Sequence, residues 1–113
     1  MKLDETLFTV RNPLITHQRQ LVTEYAFCLG EIPTMIRVRF YRQVDSERIS
    51  SEQSHYIQTP LQHEPIYESA DDHPSLESCL QDITTGMAKQ YQQAEQAGYP
   101  PSESWLLPSR DFD

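Results

Sequence analysis

The sequence predicts an α+β domain, and three observations carry that reading. They are one long amphipathic helix, a pair of alternating apolar segments ahead of it, and a length of 113 residues, the size of one ordinary domain. The helix is the strongest signal. Leu76, Leu80, Ile83, Met87, Tyr91 and Ala94 follow steps of 4, 3, 4, 4 and 3, the spacing of one face of a 3.6-residue helix. Glu77, Gln81, Thr85, Gln92, Glu95 and Gln96 make the opposite, polar face. Asp71, Asp72, Pro74 and Ser75 signal its start, because short acceptors satisfy the first N–H groups and proline tolerates the first turn. Gly98, Pro100 and Pro101 signal its stop. A helix over 74–97 is expected. Burying its large apolar side chains is worth roughly 8–15 kcal/mol before entropy, as an upper bound, so the stripe demands a partner surface.

That surface is expected from a hairpin of 35–43 and 49–58. Ile36, Val38 and Phe40 alternate with Arg37, Arg39 and Tyr41, and Asp45-Ser46 supplies a turn. An odd-sum register brings Ile49 and Ile57 onto the face of Ile36, Val38 and Phe40, and sets Glu52 opposite Arg39. Ahead of the hairpin, 14–29 supports two readings. Asn12-Pro13 and Gly30 look like helix caps, while Leu21, Thr23, Tyr25, Phe27 and Leu29 alternate as a strand does. The caps favour a helix. The 59–73 stretch, with Pro60 and Pro65, reads as a long connector anchored by Ile66 and Tyr67. Trp105, Leu106 and Leu107 lie between prolines and are expected to pack as an extended segment against the helix or a sheet edge. The first few residues and 109–113 are expected to fray. The chain reads as one domain, 1–113.

Charge bounds the partners. Residues 1–50 hold seven Lys/Arg against six Asp/Glu, a balance of +1, and residues 51–113 hold two against eleven, a balance of −9. Such an acidic half argues against nucleic acid as a ligand and fits a solvated surface or a basic partner. There is no apolar run of membrane-spanning length and no signal-peptide core, so a cytoplasmic protein is expected, off the membrane. Cys28 and Cys79 read as reduced, buried thiols.

Catalytic signals are weak. His55, His63, Asp72 and His73 are the residues from which a metal-dependent hydrolase would be built, but their spacing matches no metal motif. Ser54-His55 suggests a nucleophile beside a base, yet neighbours in a strand point to opposite faces. Glycines at 30, 86 and 98 make no phosphate loop. No catalytic residue, metal or cofactor is therefore assigned. The expected function is a non-catalytic interaction or regulatory protein with a protein partner, or a second copy of itself. Its binding candidates are the basic-aromatic stripe Arg37, Arg39 and Tyr41, with Tyr67 on the long loop and Trp105 near the C-terminus. Trp105 also suits plain core closure. An acidic inhibitor imitating nucleic acid is a further alternative.

Overall fold

The structure is a computed structural model that describes residues 10–43, 48–64, 73–110 and 112. Tyr67, Asp72 and the Asp45-Ser46 turn lie outside the described residues. Three antiparallel strands, β1 (Arg19–Phe27), β2 (Ile36–Gln43) and β3 (Ile49–Gln53), form one sheet in the order β1-β2-β3. A second, two-stranded antiparallel sheet pairs β4 (His55–Ile57) with β5 (Leu106–Pro108). The α-helix among the described residues, α1 (Leu76–Gln96), packs against the larger sheet at β3. The architecture is α+β, as expected.

The alternation in β2 does what the pleat requires. Ile36, Val38 and Phe40 are each 0% exposed, while Arg37, Arg39 and Tyr41 stand on the other face. The odd-sum register holds: Arg39 lies opposite Glu52, and Arg42 opposite Ile49. Helix α1 lays Cys79, Ile83, Met87, Tyr91 and Ala94 into the core, with Leu76 and Leu80 packed at its border. Its start is set by Ser75, whose side chain accepts the Ser78 N–H at 3.1 Å, and Gly98 at φ +96° follows its end. Trp105 closes the core. It is 3% exposed, at the end of a 3₁₀ turn (Glu103–Trp105), and meets Tyr91 edge-on at 5.6 Å between ring centroids. This burial is the core closure weighed beside a partner-binding role.

Three local expectations are corrected. First, the 14–29 helix is a strand. Asn12 accepts the Leu14 N–H on its side chain and the Ile15 N–H on its carbonyl, so its capping chemistry closes a turn and propagates no helix. Leu14 and Leu21 are exposed accordingly. Within β1 a bulge separates Leu21, opposite Tyr41, from Thr23, opposite Phe40. Second, the strand expected to run to Gln58 ends at Gln53. At Ser54 the N–H still donates to the Arg37 carbonyl at 2.8 Å, but the Arg37 N–H is met by Ser54 Oγ, also at 2.8 Å. The Ser54 carbonyl is thereby released and accepts the Ser109 N–H at 2.8 Å. One side chain replaces one backbone acceptor, and the chain passes from the first sheet to the second. Third, Cys28 is exposed and Cys79 is buried, and neither is in a disulfide.

The turn ahead of β2 is seated directly on the helix. Gly30 adopts φ +53°, the Ile32 N–H closes the turn on the Leu29 carbonyl, and the Glu31 N–H donates to the Tyr91 hydroxyl at 3.0 Å. A Cβ on Gly30 would collide with the Tyr91 ring. We therefore expect Gly30→Ala to destabilise the fold by about 2 kcal/mol or more, through positive φ and the collision together, as read by urea unfolding. A neutral result would contradict this seating.

Candidate docking face

The stripe Arg37, Arg39 and Tyr41 lies on the face of the larger sheet opposite the core. Two neighbours complete that face. Glu24 of β1 lies opposite Arg39, and Glu52 of β3 lies opposite it on the other side. The bulge at Val22 matters here. It puts Arg19, opposite Gln43, on the same face as Glu24, opposite Arg39, although strict alternation would separate residues five apart.

The face divides into two clusters. In one, Tyr41 donates to Glu52 at 2.7 Å, Arg19 bonds the other Glu52 oxygen at 3.2 Å, and the Arg19 guanidinium lies 3.8 Å over the Tyr41 ring. Burial tends to raise the Glu52 carboxyl, but its bonds from Tyr41 and Arg19 outweigh that and hold it below its ordinary value. Burial and the bond to Glu52 together raise the Tyr41 hydroxyl. Tyr41 is thus committed within its own sheet.

In the other cluster Arg39 donates through Nε to Glu24 at 3.0 Å, and Arg37 stands 3.9 Å from the other Glu24 oxygen. The bond to Glu24 raises the Arg39 pKa above its ordinary value, keeping the guanidinium charged. Both cations lie over the ring of Phe112. Its ring lies 4.0 Å from the Arg39 guanidinium carbon and 4.8 Å from that of Arg37, and the residue is 9% exposed. The face of the ring attracts both cations through its quadrupole. The 109–113 stretch was expected to fray. At its described positions, Ser109 is hydrogen-bonded to Ser54 and Phe112 is packed on the arginines. The Arg37 side chain remains 43% exposed and that of Arg39 21%.

The histidines do not gather. His55 is on β4, His63 is exposed in the following loop, and His73 forms an isolated bridge with Ile49 and stands 3.5 Å from Asp82. Among the described residues no three His, Cys, Asp or Glu side chains form a group able to hold a metal. Ser54 and His55, expected to diverge, do meet: Ser54 Oγ lies 2.8 Å from His55 Nδ1. The divergence rule fails because Ser54 sits at a bend between strands. Its oxygen also accepts the Arg37 N–H, so the one hydroxyl joins the β2 backbone to the His55 ring. The pair secures the passage between sheets.

Sequence reasoning missed Glu24, Arg19 and Phe112. The first two were legible only if 19–27 was read as a bulged strand. For Phe112 the available signal was an aromatic residue between two aspartates, beyond the last proline.

Among the described residues no helix is long and apolar enough to cross a membrane. Burial, and secondarily the charge of Arg37, holds His55 below its ordinary 6.5. The folded state then binds fewer protons than the unfolded one, so stability is full above the unfolded value and declines as pH falls below it. We expect His55→Gln to flatten the fall in melting temperature between about pH 7.5 and pH 5.5; an unchanged slope would contradict a neutral His55 at the bend. Comparison with protein-family models, with curated proteins and with solved structures finds no match.

Proposed function

We propose that this protein is a non-catalytic interaction module that docks a protein partner on the Arg37/Arg39 cluster of its outer sheet face. One observation carries the reading: two guanidiniums on neighbouring outward positions of the central strand, themselves still open to solvent, hold one aromatic side chain against them. Arginine paired with an aromatic ring is the composition of interface anchors, and β2 is fixed from below by a dry core. Of the earlier binding candidates, Arg37 and Arg39 remain at the centre, Tyr41 serves as the wall beside them, and Trp105 belongs to the core. Two cysteines held outside any disulfide support a reducing, cytoplasmic setting. We expect Arg37→Glu/Arg39→Glu to abolish capture of the partner from the native host while circular dichroism and melting temperature stay near wild type. Full capture by a folded double variant would remove this face from the account.

A further inference from the structure

We propose that the Arg37/Arg39 face recognises an aromatic side chain carried between carboxylates on a linear peptide, and that the chain's own Phe112 holds this place in cis. The inference rests on the docking reading above and names the partner's chemistry. The occupant is visible: Phe112 is 9% exposed beneath the guanidiniums of Arg37 and Arg39. In sequence it lies between Asp111 and Asp113. A ring face is attracted to a cation through its quadrupole, and carboxylates on either side suit a surface bearing two arginines around Glu24. The requirement is therefore for an aromatic ring, which a leucine of similar bulk does not supply.

The tail reaches the face through a short tether. Strand β5 ends at Pro108, and the Ser109 N–H is fixed to the Ser54 carbonyl, three residues before Phe112. A segment held so closely competes at an effective concentration of about millimolar, so a free peptide binds wild type only weakly. A partner prevails by adding contacts beyond the motif. The tail thus screens the face against weak acidic ligands and yields to a segment that binds more extensively.

The test uses the full chain and a fluorescein-labelled peptide of sequence Ser-Arg-Asp-Phe-Asp, followed by fluorescence anisotropy. Phe112→Ala vacates the face, and we expect it to bind the peptide about tenfold or more tightly than wild type. Arg39→Gln added to that variant should abolish binding, as should a leucine in place of the peptide's phenylalanine. Phe112→Leu, which keeps apolar packing, should also bind the phenylalanine peptide better than wild type, and so provides the test if the alanine variant is unstable. Equal binding by wild type and both variants, or equal binding of the leucine peptide, would overturn the inference. So would wild-type self-association that Phe112→Ala removes, because the tail would then sit on a second copy. Loss of host-partner capture in the double arginine variant, together with no peptide binding by Phe112→Ala, would refute this peptide chemistry and leave the docking reading standing.

Discussion

The hydroxyl of Ser54 decides where the last fifteen or so residues of the chain can go. A regular strand would offer the Arg37 N–H a backbone carbonyl, and β3 would continue alongside β2. Ser54 offers Oγ instead, at 2.8 Å, and frees its carbonyl for Ser109. The pairing of β4 with β5 follows from that exchange, and so does the return of the C-terminal segment past the edge of the first sheet to the outer face. The Arg37 N–H, the Ser54 N–H and the Ser54 carbonyl are each hydrogen-bonded at the crossing, which is why a break in a ladder is tolerated at a site 7% exposed.

The core below is organised by α1. Its stripe covers β2 and β3, where Val38 and Phe40 are fully buried, and gives less cover to β1, where Tyr25 opposite Val38 is 50% exposed. Tyr91 joins the layers, since its ring receives Trp105 edge-on and its hydroxyl takes the Glu31 N–H. The outer face inherits its rigidity from this packing. Arg37 and Arg39 project from backbone whose intervening residue, Val38, cannot move without opening the core.

What could be read in the sequence was periodic. The helix was legible because six apolar residues kept a single period and both ends carried caps. The odd-sum register was legible because one alternative exposes Ile49. Non-periodic features were not. The bulge at Val22 breaks the alternation of β1, while Asn12-Pro13 and Gly30 imitate helix caps and are in fact turns at either end of a strand. The Ser54 exchange is a side-chain hydrogen bond with no composition signal, so neither β4 nor the meeting of Ser54 with His55 was readable. Of the docking face, the arginines were legible from β2 alone. Glu24 depended on β1, and Phe112 depended on a return path set seventeen residues after Arg37 in sequence.

A side-chain acceptor redirects the chain, the redirected tail packs Phe112 against two arginines, and those arginines form the proposed docking face. The central claim is the contact between the Phe112 ring and Arg39. The most direct measurement is the proton chemical shift of the Arg39 side-chain methylenes in solution. A ring 4.0 Å from the guanidinium carbon shields them, so the account expects upfield shifts that vanish in Phe112→Leu. Arg39 shifts at random-coil values in the folded wild-type protein would contradict it.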